Sequence, residues 1–171
     1  SIERVLFSLA NTVEAKDAYT QGHVERVSSM AMALGQKMVL SADELEALRY
    51  GGVLHDIGKI GVPSNIINKP GSLDDDEWKI IQTHPDIGYR ICLPIRKNLG
   101  AALDVIRHHH EKLDGSGYPD GLRGDEIAPV ARVMAVVDIY DALVTERPYR
   151  KAMSQEKALR ILLEEAHGGK L

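Results

Sequence analysis

Apolar residues recur at spacings of three and four along nearly the whole of this chain, and the two-residue alternation of strands is nearly absent. A chain patterned this way can hide its apolar surface only by packing helix faces on one another, so the sequence predicts an all-α fold. Leu6, Leu9 and Val13 mark a first amphipathic helix, and Val27, Ala31, Leu34 and Met38 mark a second. Ser41 followed by Glu44 has the form of a capping box opening a third. Asp74 or Asp75 is placed to cap a fourth helix containing Trp78, Ile80 and Ile81, and Leu99, Ala102, Leu103 and Ile106 define another. From Val130 to Val144 the chain is apolar almost all round, the pattern of a central, buried helix. Ala158, Ile161 and Leu162 close the chain with a surface helix.

Two segments break the periodicity. One runs from Gly58 to Gly71 with Pro63 and Pro70, and the other from Asp114 to Pro129, where Gly115, Gly117, Gly121 and Gly124 accompany Pro119. A glycine-rich loop of that length inside a domain is more often functional than idle. Neither segment reads as a linker, so the 171 residues are expected to form one domain.

Polar residues on the apolar stripes carry the chemistry. His23 lies four before Val27 and shares its stripe, and His84 lies three after Ile81. His109 and His110 lie three and four after Ile106 and flank the inward direction, whereas His108 points roughly the other way and reads as a surface residue. His55 and Asp56 interrupt the apolar run around Val53, Leu54 and Ile57, and Asp138 interrupts the run from Val133 to Ile139. A single inward histidine is usually a hydrogen-bonded core residue. Carboxylates are harder to dismiss, because burying one unpaired costs several kcal/mol, on the order of the whole margin of folding. Five histidines and two aspartates turned inward from different helices call for a shared cation. With no thiolate among them a structural zinc site is disfavoured. A mixed imidazole and carboxylate set suits iron, manganese or zinc in a hydrolytic site, with iron or manganese expected. Seven side chains are too many for one ion, and with Asp56 bridging they fill most of the coordination shells of two divalent ions.

Composition narrows the partners. A net charge of −4 and a pI near 6.0 argue against a nucleic-acid polymer, which calls for a basic face, but leave room for a small phosphorylated ligand. Cys92, the single cysteine, sits between Ile91 and Leu93 and reads as packing. No apolar run approaches a membrane span, and no signal-peptide pattern opens the chain, so a cytoplasmic protein, or the cytoplasmic part of a larger one, is expected.

His55-Asp56 followed by Gly58-Lys59 resembles the HDxGK motif of the HD phosphohydrolases. The run His109-His110-Glu111-Lys112-Leu113-Asp114-Gly115-Ser116-Gly117-Tyr118-Pro119 resembles the far more specific HHExxDGxGYP signature of the HD-GYP subfamily. Tyr19 to His23, Lys69-Pro70-Gly71, His84-Pro85, Asp138 to Leu143 and Arg147-Pro148-Tyr149-Arg150 agree with it, so the resemblance covers nearly the whole chain. It implies a helical HD-domain bundle with a glycine-rich GYP loop and a metal-dependent phosphodiesterase that cleaves cyclic di-GMP to linear pGpG, in some members on to GMP. The metal ligands it implies are His23, His55, Asp56, His84, His109, His110 and Asp138, the same seven picked out by helical phase. It makes Lys59 the motif lysine, set to bind a phosphate oxygen or protonate the leaving group beside Asp56, and it puts Asp17, Arg147 and Arg150 on the nucleotide.

Tyr118 is suited to stack on a base or to dock a protein partner, and Glu111 to orient a ligand imidazole. Some relatives hold a third metal with an acidic residue four positions before the first ligand histidine. Tyr19 occupies that position here, so two ions are expected. The family also usually continues past a Gly-Gly pair like Gly168-Gly169, so a longer parent chain is expected. The rival readings are a phosphohydrolase of another cyclic dinucleotide or a linear nucleotide, and a signalling module that binds nucleotide or a partner without turnover.

Overall fold

The computed structural model describes residues 1–147 and 150–171. Its helices are α1 (Ile2–Glu14), α2 (His23–Lys37), α3 (Ala42–Leu54), α4 (Ser64–Ile67), α5 (Asp75–Ile81), α6 (His84–Cys92), α7 (Arg96–Leu99), α8 (Ala102–His108), α9 (Pro129–Val144) and α10 (Gln155–His167). Among the described residues no strand forms, and two isolated bridges, Asp114 with Arg123 and Arg147 with Arg150, tie off loops.

Local chemistry explains the helix starts. In α3 the Ser41 hydroxyl accepts from the Glu44 N–H at 3.2 Å while the Glu44 carboxylate accepts from the Ser41 N–H at 2.9 Å. Asp74 and Glu77 repeat this reciprocal cap at α5, at 2.8 and 2.9 Å. Pro129 begins α9 at the position where a missing N–H costs nothing.

α3 is the hub, packed against α2, α8, α1 and α9, and α6 closes the bundle against α8. Val27, Ala31, Leu48, Leu54, Ile106 and Met134 are fully buried where these helices meet. α9 is central, as its all-round apolar pattern predicts, with Val130, Ala131, Val133, Met134, Ala135 and Val137 buried. Cys92 is buried in the same core, and burial pushes its thiol up to about 11, so it stays protonated and inert.

Several periodic readings shift. In α1 the buried pair is Leu6 and Ala10, while Leu9 is exposed, and Met38 has left the α2 stripe for solvent. α5 buries none of its residues. The single helix expected through Leu99 and Ile106 is two, because Gly100 breaks it at a positive φ of 52°. The first break also holds more structure than a loop, since a 3-10 turn spans Ile57–Gly61 and α4 follows.

One contact sets the position of that turn. A Cβ on Gly58 would collide with the His84 carbonyl oxygen and lie 2.6 Å from the Gly88 nitrogen. Glycine alone lets the turn after Asp56 press onto the α6 backbone, and this brings Asp56 to His84.

Candidate metal centre

Helix ends and one helix interior deliver the site. His23 opens α2, His84 opens α6, His55 and Asp56 follow the end of α3, His109 and His110 follow the end of α8, and Asp138 projects from α9. Their donor atoms form two groups. Asp56, His84, His109 and His110 make one, His23, His55, Asp56 and Asp138 make the other, and within each the atoms lie within 4.8 Å of one another. Asp56 belongs to both. Its Oδ1 is 3.3 Å from His84 Nε2 and 3.5 Å from His109 Nε2, while its Oδ2 is 3.2 Å from His55 Nε2 and 3.4 Å from His23 Nε2. Asp138 Oδ1 completes the second group, 3.1 Å from His23 and 3.4 Å from His55.

The outward nitrogens are fixed. Nδ1–H of His55 donates to the Gly52 carbonyl at 2.8 Å, that of His84 to Ile81 at 2.7 Å, and that of His109 to Ile106 at 3.0 Å. His23 Nδ1–H donates instead to Asp141 Oδ2 at 2.6 Å, and Arg26 holds the same carboxylate at 2.8 and 3.2 Å. Each neutral ring therefore turns a bare Nε2 lone pair inward. Those lone pairs face one another, His23 with His55 at 3.2 Å and His84 with His109 at 3.3 Å, with the Asp56 oxygens among them. Lone pairs crowded this closely repel unless cations lie between them. The donor set therefore fits two metal ions sharing one carboxylate.

Without metal, protons would have to supply the positive charge. Burial disfavours imidazolium at His23, but hydrogen bonds to Asp138, Asp141 and Asp56 outweigh it and raise its pKa to about 11. The same contest, with Asp56 foremost among the opposing charges, puts His55 at about 9. His109 and His110 shift the other way, because burial and neighbouring imidazoles keep them neutral. Burial also opposes ionisation of Asp56, but the positive charges of His55 and Lys59 hold its carboxyl well below the usual range.

Beside the two groups opens a cavity of about 630 Å³, within the usual range for small-molecule sites. Asp17, Lys59, His84, Arg147 and Arg150 are in its wall. Lys59 Nζ is 3.3 Å from Asp56 Oδ2 and 3.7 Å from Asp17 Oδ2, so Asp17, itself buried, faces the lysine. Arg150 donates to the Ala142 carbonyl at 2.7 Å, which tethers it to the end of α9. Tyr118 stacks on His110 with ring centroids 4.9 Å apart and planes 18° apart. Pro148 and Tyr149, quoted with the arginine motif, lie outside the described residues.

Two expectations are corrected. Among the described residues Glu111 bonds no imidazole. It is buried, and its carboxylate accepts from the Asp120 N–H at 2.7 Å and the Leu122 N–H at 3.1 Å, which clamps the glycine-rich loop. His108 points away from both groups but is not a plain surface residue. Its Nε2 meets Asp120 at 2.8 Å, and Arg107 grips the same carboxylate through two bonds. A third cluster of His108, Glu111 and Asp120 is thus already neutralised by an arginine and by backbone N–H groups. Gly117 is required in this loop, because a Cβ there would strike the Glu111 Cα at 2.5 Å. Sequence reasoning passed over Asp141, although it lies one turn after Asp138 in the same apolar helix and could have been flagged by the same argument.

Residues 8–170 match the HD domain family. The chain is 41% identical over 168 residues to a 3′3′-cGAMP-specific phosphodiesterase of Vibrio cholerae, covering 97% of this chain and 36% of that protein. It is 40% identical over 152 residues to a cyclic di-GMP phosphodiesterase of Pseudomonas aeruginosa, covering 89% and 37%. Among solved structures, an HDG"Y"P protein of Bdellovibrio bacteriovorus superposes with a TM-score of 0.71 at 26% identity, covering 86% of this chain and 47% of that one. The chain thus spans less than half the length of these relatives.

Proposed function

The chain belongs to the HD domain family, in its HD-GYP branch, and from that premise we propose that it is a dinuclear metal-dependent phosphodiesterase hydrolysing cyclic di-GMP to linear pGpG. The observation that carries this reading is the pair of four-membered donor groups sharing Asp56. His23, His55, Asp56 and Asp138 would hold one ion, and Asp56, His84, His109 and His110 the other, iron or manganese by donor type. When bound, such ions make water a nucleophile at neutral pH and stabilise charge on phosphoryl oxygens.

The protein's own groups do the rest. Backbone carbonyls and Asp141 orient the imidazoles. Lys59, held at the cavity wall by Asp56 and Asp17, supplies a positive charge to a non-bridging phosphate oxygen. Arg147 and Arg150 neutralise the second phosphate, and Tyr118 keeps the His110 ring in place. The solvent edge of the loop, at Ser116 and Asp120, is the part open to a partner protein. Among the described residues no helix is long and apolar enough to cross a membrane. We place the reaction in the cytoplasm, where Cys92, the single cysteine, stays a thiol.

The test is metal analysis of the reconstituted protein, followed by product analysis with cyclic di-GMP and 3′3′-cGAMP. Two ions per chain and a linear guanine dinucleotide are expected. Faster cleavage of 3′3′-cGAMP would move the chain to the specificity named for its Vibrio relative. Full metal loading without turnover of either compound would overturn this reading.

Asp141 gives a milder prediction. Asp141→Ala removes the acceptor that orients His23, so affinity for the ion at the His23 group should fall about 10- to 100-fold while the other group still loads. Metal titration of the variant checks this. Equal weakening of both positions would mean that Asp141 acts on the bundle and not on His23.

A further inference from the structure

We propose that Trp78 is the residue on which a purine base of the substrate stacks, and so the main determinant of base-dependent affinity. This rests on the reading that the substrate is a cyclic dinucleotide. Trp78 is the single tryptophan of the chain and lines the cavity that also holds Lys59, Arg147 and Arg150. Its place in the fold gives it no core duty, because α5 buries none of its residues and Trp78 is 47% exposed. A large aromatic left half wet forgoes stabilisation that a flat ligand covering it would recover.

Its orientation relates it to the reacting end of the site. Trp78 meets Tyr118 nearly edge to face, at 6.5 Å and 78°, and Tyr118 lies flat on His110. The rings of His110, Tyr118 and Trp78 therefore adjoin one another between the metal centre and the cavity wall, while the cations on that wall suit the phosphates. A cyclic dinucleotide has that division, with two phosphates in a central ring and a base projecting on each side. One phosphate at the metal centre leaves a base over α5. Stacking uses the π-face that guanine and adenine share, so Trp78 gives affinity for purines without choosing between them.

Two measurements test this. Since no other tryptophan is present, a change of intrinsic fluorescence on stopped-flow mixing of the metal-loaded protein with cyclic di-GMP or 3′3′-cGAMP reports on Trp78 directly. Quenching is expected with both compounds. Trp78→Ala should raise KM by about 5- to 150-fold with kcat nearly unchanged, and Trp78→Phe should recover most of the loss. Turnover with unquenched fluorescence and an unchanged KM in Trp78→Ala would overturn the assignment while leaving the enzyme reading intact. Quenching without turnover would keep Trp78 as the stacking residue and overturn the enzyme reading instead.

Discussion

Asp56→Ala is expected to empty both metal positions at once and to lower hydrolysis by at least about 10³-fold, equivalent to about 4 kcal/mol of lost transition-state stabilisation. The reason is the division of labour between its two oxygens. Oδ1 faces His84 and His109, Oδ2 faces His23 and His55, and no other side chain belongs to both donor groups. Losing any other ligand leaves one group whole. Asp138→Ala is the natural comparison, because Asp138 pairs with His23 and His55 and belongs to their donor group, so its loss should spare the ion proposed at His84, His109 and His110. Either change leaves the apolar core untouched but removes a counter-charge of His23 and His55, so each variant should lose some stability, and circular dichroism checks that it still folds. Elemental analysis of the two variants, with rates on cyclic di-GMP, makes the comparison. An Asp56→Ala protein that retains one ion per chain would show that the two groups load independently and that Asp56 does not bridge.

Lys59→Ala should leave both metals in place and slow turnover by about 10²- to 10⁴-fold, the range for a positioned electrostatic group. Burial disfavours the Lys59 ammonium, but Asp56, Asp17 and Asp138 together hold its pKa above the ordinary lysine value. In the metal-free protein it therefore stays charged through the neutral range. Nucleotide affinity should fall less than the rate, because the arginines on the cavity wall still hold the ligand. A rate and a dissociation constant at matched metal occupancy separate the two effects. Unchanged turnover would reduce Lys59 to a structural ion pair with Asp56 and Asp17.

Much of this was written in helical phase. An apolar stripe broken by a histidine or aspartate aims a polar atom at the interior, and that rule picks out His23, His55, Asp56, His84, His109, His110 and Asp138. Phase stays accurate over short stretches of regular helix. It therefore worked for Asp138 in mid-α9 and overreached at Leu99 to Ile106, where Gly100 splits the run. Caps were equally legible at Ser41 and Asp74, because the chemistry of a helix start lies within four residues.

What the sequence determined alone, then, is which side chains turn inward and where helices begin, since both follow from local geometry. What lies across from an inward group was decided by tertiary structure. That His23 donates to Asp141 depends on α2 meeting α9, and that Glu111 clamps a loop and no imidazole depends on where residues 120 and 122 fold back. The Lys59 pairing with Asp17 and the place of Trp78 beside Tyr118 arise from segments that break the helical repeat or bury nothing. Periodicity carries no signal there, and only the packing of distant elements brings such residues to one cavity.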